Sequence, residues 1–95
     1  MLNSKTRAKL RALANKTDTI FQIGKNGISD ETVHQVDEAL TARELIKLHV
    51  LDSSPVSVHE AAEELAEKSR ADVVQVIGGR FVLYRKNHEK PKIVL

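Results

Sequence analysis

Gly24-Lys25-Asn26-Gly27 is the stretch of this chain whose residue types and spacing best suit a polyanion. Glycines carry no Cβ and tolerate positive φ, so such a loop can turn tightly and bring its backbone close to a ligand. Lys25 sets a mobile cation beside it. The flanks support the reading. Thr19-Ile20-Phe21-Gln22-Ile23 is an apolar run of strand length, and Ser29-Asp30 reads as a capped helix start. A loop that opens onto a helix N-terminus presents free N–H groups, a natural seat for a phosphate. Asp30 and Glu31 in the first helical turn oppose an anion there, so Lys25 and other nearby cations must outweigh them.

The pattern is neither a P-loop nor a dinucleotide fingerprint, since G-x-x-x-x-G-K-[ST] and G-x-G-x-x-G are both absent. A G-x-x-G loop between strand and helix clamps a nucleic-acid backbone in KH-type modules, and RNA is the ligand this arrangement points to. Two further basic groups fit it. Lys5, Lys9 and Lys16 fall on one flank of a first predicted helix, with Arg7 and Arg11 on the other. Arg80 stands beside a glycine turn, and Arg85 and Lys86 close the following strand. The plainer alternatives are a solvated helix surface and an edge strand protected by charge. Phe81 and Tyr84 should point to opposite faces of their strand, so at most one is exposed and base stacking is a minor theme. Contacts should fall mainly on phosphate and sugar.

Catalytic readings are weak. His34–Glu38 and His59–Glu63 are i, i+4 pairs that could hold a metal, but a helix-surface interaction is the simpler meaning. H-E-x-x-H and G-x-S-x-G are absent, and no cofactor is implied.

The elements that must carry these residues follow from periodicity. Residues 4–16 form a helix capped by Asn3 or Ser4, with Thr6, Leu10, Leu13 and Ala14 inward. Strand one is 19–24, and helix two runs from Asp30 to Arg43 on the stripe Val33, Val36, Leu40. Strand two is 45–52, where Ile46, Leu48 and Val50 alternate with Lys47, His49 and Leu51. Helix three is 57–70, opened by the capping box Ser57-x-x-Glu60, with Glu60, Glu63, Glu64 and Glu67 on its outer side. Strands 73–77 and 80–85 flank Gly78-Gly79, a hairpin signal. Asn87 to Lys92 reads as loose, and Ile93-Val94-Leu95 as a docking extension or a frayed end. The fold class is α/β, in the order α-β-α-β-α-β-β, with a four-stranded mixed sheet and three helices. Strands joined through helices should run parallel by right-handed crossovers.

Ninety-five residues suit one domain, 1–95, with 88–95 as a loose tail. There is no cysteine, which excludes disulfide and thiolate chemistry and is compatible with a reducing cytoplasm, the expected location. No apolar run is long enough for a membrane span or a signal peptide. The net charge of +2 conceals segregation. Residues 1–25 hold six basic and one acidic side chain, residues 26–72 four and eleven, and residues 73–95 five and one. If the basic ends meet in space, the molecule has a face for polyanions and an acidic face behind it.

Taken together, these residues resemble the CRM domain, named for chloroplast RNA splicing and ribosome maturation, in its bacterial stand-alone YhbY type. The resemblance spans essentially the whole chain. It rests on Leu10-Arg11-Ala12-Leu13-Ala14, Phe21-Gln22-Ile23-Gly24-Lys25-Asn26-Gly27-Ile28, Glu44-Leu45-Ile46-Lys47 and the run from Val74 to Arg85. It implies a fold similar to the C-terminal domain of translation initiation factor three. It also implies RNA binding, association with precursors of the large ribosomal subunit, and no enzymatic activity. Gly24, Lys25, Asn26 and Gly27 would be the family's G-x-x-G loop. Lys5, Lys9, Arg80 and Arg85 would extend the basic surface of a monomer. The competing reading is a protein-interaction module, in which the acidic faces of helices two and three engage a basic partner such as a ribosomal protein.

Overall fold

The computed structural model describes residues 2–95. Its elements are α1 (Ser4–Ala14), β1 (Thr19–Ile23), α2 (Asp30–Arg43), β2 (Leu45–Val50), α3 (Val58–Ser69), β3 (Asp72–Ile77) and β4 (Arg80–Tyr84), the order read from the sequence. Helix starts are set where the capping chemistry requires. The Asn3 side chain accepts from the Thr6 N–H, and reciprocal capping boxes close at Ser29/Thr32 and Ser57/Glu60. Among the described residues no helix is long and apolar enough to cross a membrane.

The four strands form one sheet in the order β1-β2-β4-β3. β1 pairs parallel with β2, and β4 lies antiparallel to both of its neighbours. β2 and β3 therefore point the same way, as their helical connection requires, with β4 inserted between them. The Gly78-Gly79 turn makes this possible: Ile77 pairs with Arg80 across a two-residue loop, and Gly78 takes φ 57°, the sign a type II′ turn needs at its first central residue. β4 is thus interior, and a charge-protected edge strand is not its role. Phe81, Val82, Leu83 and Tyr84 are all buried, the two-sided burial of a central strand.

Two apolar clusters occupy the two faces. On one, α2 and α3 pack Val36, Leu40, Ala61, Ala62 and Leu65 against Ile23, Ile46, Leu48, Phe81 and Leu83. On the other, α1 packs Leu10 and Ala14 against Leu45, Val74, Val82 and Tyr84. Phe81 and Tyr84 do point to opposite faces, but both are buried, so neither can stack on a base. Leu13, read as inward, is 40% exposed: Leu10 and Ala14 already fill the contact line.

Glu44 joins α2 to β2 and is completely buried, with φ 64°. Its N–H donates to the Leu40 carbonyl at 2.8 Å and its carbonyl accepts from the Arg85 N–H at 2.9 Å. Its carboxylate accepts from the backbone N–H groups of Asn87 (2.8 Å), Ile93 (2.8 Å) and Lys92. The segment read as loose after Lys86 is therefore tied back at these points, and Ile93 packs against the α1 cluster. Burial pushes the Glu44 carboxyl up, but the N–H donors of Asn87, Lys92 and Ile93, helped by the charge of Lys86, outweigh it and hold the group below its ordinary range. A depressed carboxyl contributes stability above its unfolded pKa and loses it as pH falls through the folded value. Glu44→Gln replaces one acceptor oxygen by a donor facing backbone N–H groups. We expect it to lower unfolding stability by about 1.5–3 kcal/mol at neutral pH. In urea unfolding, the gap between the two proteins should narrow below about pH 4; a gap independent of pH would contradict the role of the ionised carboxylate.

Candidate nucleic-acid interface

Helix α1 has eleven residues, a length of about 16 Å. An isolated helix of this size is marginal in water, so tertiary contacts must hold it. Leu10 and Ala14 supply the apolar contact. The Arg7 guanidinium supplies a polar one, donating through Nη1 to the carbonyls of Val73 at 2.6 Å and Val74 at 2.9 Å. Those carbonyls lie where the β3–β4 register shifts, between Val73 and Gln75. The helix is thereby fastened over the end of the sheet carrying Leu45 and Tyr84, against β2 and β3 alike.

The rest of that face is uncovered. The registers Gln22–His49, His49–Arg80 and Ile77–Arg80 set one row of side chains across all four strands. Thr19–Lys47, Lys47–Val82 and Gln75–Val82 set the next. Gln22, Arg80 and Ile77 are exposed, Lys47, His49 and Gln75 half-exposed. A shallow notch of about 80 Å³ runs from Ala14 and Asn15 at the end of α1 to Lys47, Gln75, Ile77 and Arg80.

The Gly24–Gly27 loop follows β1 at this same end of the sheet. The Gly27 N–H donates to the Gly24 carbonyl at 3.0 Å, leaving Lys25 and Asn26 exposed at the tip. The two glycines are not equivalent. Gly27 has φ 63°, and a Cβ there would meet Pro55 Cγ at 3.1 Å. Gly24 is not at positive φ, and a Cβ would meet Leu51 Cδ1 at an ordinary 3.6 Å. The neighbouring α2 N-terminus differs from the expected anion seat. The Ser29 hydroxyl accepts from the Thr32 N–H and the Thr32 hydroxyl from the Ser29 N–H, while Asp30 and Glu31 occupy the first turn. What the loop offers an anion is its projecting Lys25 tip.

Of the other candidate residues, Lys5 and Lys9 are exposed on the α1 flank turned away from Arg7, and Arg80 lies on the open half of the sheet. Arg85 does not join them. Its guanidinium donates to Asp37 Oδ1 (2.6 Å), the Asp37 carbonyl (2.9 Å), Thr41 Oγ1 (2.8 Å) and the Ser69 carbonyl (2.7 Å). It stitches α2, the end of α3 and the end of β4, and its donors are committed there. Lys47, half-exposed, shares the open face with Arg80 instead. The period-two pattern of β2 carried the signal, since whatever faces away from Ile46, Leu48 and Val50 shares the face of Arg80.

Apart from Asp30 and Glu31 after the loop and Asp52 after β2, most acidic side chains lie away from this end. Asp30, Glu31, Asp37, Glu38, Glu60, Glu63 and Glu67 are exposed on α2 and α3, behind the opposite face of the sheet. His34 Nε2 meets Glu38 Oε1 at 2.7 Å in an exposed i, i+4 pair, the plain helix-surface interaction. Among the described residues no three His, Cys, Asp or Glu side chains come together as a metal site would require.

The CRS1 / YhbY (CRM) domain matches residues 2–85. The Bacillus subtilis protein named "Probable RNA-binding protein YqeI" is 42% identical over 95 residues, 100% of this chain and 99% of that one. An RNA-binding protein of Haemophilus influenzae is 28% identical over 88 residues, 93% of this chain and 89% of its own. The solution structure of a Staphylococcus aureus protein, described as a candidate RNA-binding protein, superposes with a TM-score of 0.79 at 44% identity, covering 100% of this chain and 99% of that one.

Two stability measurements test the assignments within the site. Gly27→Ala should cost about 1–2 kcal/mol from its positive φ and the approach of Pro55, and Gly24→Ala should stay within about 0.5 kcal/mol of the parent. Equal costs would contradict the different backbone roles. Arg85→Ala should lose about 1.5–3 kcal/mol in urea unfolding, and Arg85→Lys should recover only part of it, because an ammonium cannot reproduce the guanidinium fork.

Proposed function

Because this chain belongs to the CRS1 / YhbY (CRM) domain family, we propose that it is a non-enzymatic RNA-binding protein that contacts the RNA backbone through its Gly24–Gly27 loop and flanking cations. One observation carries the reading: Lys25 at the loop tip and Lys47 and Arg80 on the open half of the sheet share one end of the molecule, while the carboxylates of α2 and α3 lie behind the other face. Such a separation favours a polyanion on one side only. The small Gly24 and the tight turn let the loop backbone approach a phosphate, and Lys25 neutralises it. Lys5 and Lys9 extend the basic surface along α1. The resemblance carries the proposal further, to RNA of large-ribosomal-subunit precursors during assembly in the cytoplasm.

The acidic face supports a second contact. Glu60, Glu63 and Glu67 are exposed on α3 and present charge suited to a basic ribosomal protein. Glu63→Lys with Glu67→Lys should abolish capture of such a partner and leave RNA affinity equal or stronger.

RNA affinity measured against salt tests the first reading. With four to six phosphates neutralised on a single strand, log affinity should fall against log salt with a slope of roughly −3 to −4. Lys25→Ala or Arg80→Ala should each reduce the slope by about 0.7, similarly for all RNA sequences, whereas Arg85→Ala in folded protein should leave it unchanged. A flat salt response would sink the mechanism.

A further inference from the structure

The open half of the sheet holds more than cations. Its two rows contain no carboxylate. Beside Thr19 and the buried Val82, they combine Lys47 and Arg80 with two carboxamides, Gln22 and Gln75, one imidazole, His49, and one further aliphatic side chain, Ile77, which is 64% exposed. Phosphate recognition alone asks for cations and N–H donors. Carboxamides carry a donor and an acceptor on one plane, the combination that matches a base edge. Guanidinium and imidazole planes stack on bases, and an exposed aliphatic beside them covers the face of a base.

The geometry of His49 adds a second observation. A Cβ on Gly79 would stand 3.3 Å from both Cδ2 and Nε2 of the ring and 3.3 Å from the Val50 carbonyl oxygen, closer than most real contacts. The imidazole therefore lies against bare glycine backbone, in a place that a larger residue at 79 would contest. The row it belongs to crosses four strands, about 14 Å. Other four-stranded RNA-binding sheets stack two or three bases, using aromatic side chains. Here Phe81 and Tyr84 are buried, and the planar groups available are Arg80 and His49.

We infer that the open half of the sheet takes unpaired bases of a single-stranded RNA segment, with Gln22 and Gln75 at base edges and Arg80, His49 and Ile77 against base faces. The inference rests on the RNA-binding reading and specifies which part of the RNA this surface meets. Flanking phosphates fall to Lys25 at the loop and Lys9 on α1. The bound segment must be single-stranded, because paired bases would not offer their edges and faces to a sheet.

Fluorescence anisotropy with three labelled RNAs tests it: an eight-nucleotide single strand, the same strand with three central abasic riboses, and a duplex of equal length. The abasic strand keeps every phosphate. The parent protein should bind it about tenfold or more weaker than the intact strand, the scale of one or two base contacts. The double variant Gln75→Ala/Ile77→Ala changes surface positions without changing charge. It should lose a similar factor on the intact strand, lose little on the abasic one, and keep the same salt slope. Gly79→Ala, used once the amide shifts of Val50 and Arg80 show the β2–β4 pairing intact because its Cβ also nears the Val50 carbonyl, should displace the His49 ring and weaken only the intact strand. Equal affinity for intact and abasic strands, or a preference for duplex, would overturn the platform and leave backbone-mediated RNA binding standing. No affinity for any of the three RNAs would remove both.

Discussion

The bond from Arg7 to the carbonyls of Val73 and Val74 decides what the rest of this surface can be. β3 is an edge strand, and its register shift leaves carbonyls that the ladder does not use regularly. A guanidinium reaching across from α1 satisfies two of them at once and fixes the short helix over the Leu45–Tyr84 end of the sheet. Leu10 and Ala14 then find Leu45, Val74, Val82 and Tyr84 beneath them, and nothing remains to cover Gln22, Lys47, His49 and Arg80. A helix set further along the strands, toward the Gly78–Gly79 turn, would have buried those side chains or forced them to become apolar. The open platform is the complement of the latch.

Topology converts the charge order of the chain into two faces. The crossovers from β1 to β2 and from β2 to β3 advance in the same direction across the sheet. Right-handed crossovers that advance the same way place their helices on the same face. α2 and α3 carry most of the carboxylates of the acidic middle segment, so those carboxylates gather behind one face. α1 precedes the first strand and is free to take the other face. The basic ends of the sequence meet there because the insertion of β4 beside β2 brings Arg80 across from His49 and next to Lys47.

Much of this was legible in the residues. The element order, both serine caps, the glycine hairpin and the two-sided character of 81 and 84 all follow from local rules that tertiary packing did not override. What was not legible depended on partners distant in sequence. Arg80 and Arg85 flank the same strand and look alike, yet only Arg85 finds Asp37, Thr41 and Ser69 on helices folded back beside it. The motif treats Gly24 and Gly27 alike, whereas Pro55 and a positive φ single out Gly27. Glu44 reads as one more acidic residue at a helix end, because the amides it accepts from lie 43 to 49 residues further on.

That separation matters while the chain is being made. The N–H groups that the Glu44 carboxylate accepts from in the fold arrive only with residues 87–93. At a translation rate of roughly 5–20 residues per second, the interval is on the order of 2–10 s. Throughout it the junction of α2 and β2 must stay hydrated, since burying an ionised group without partners costs several kcal/mol. Burial of the α2–β2 junction is therefore coupled to the arrival of residues 87–93, which makes it a late step in closing the domain.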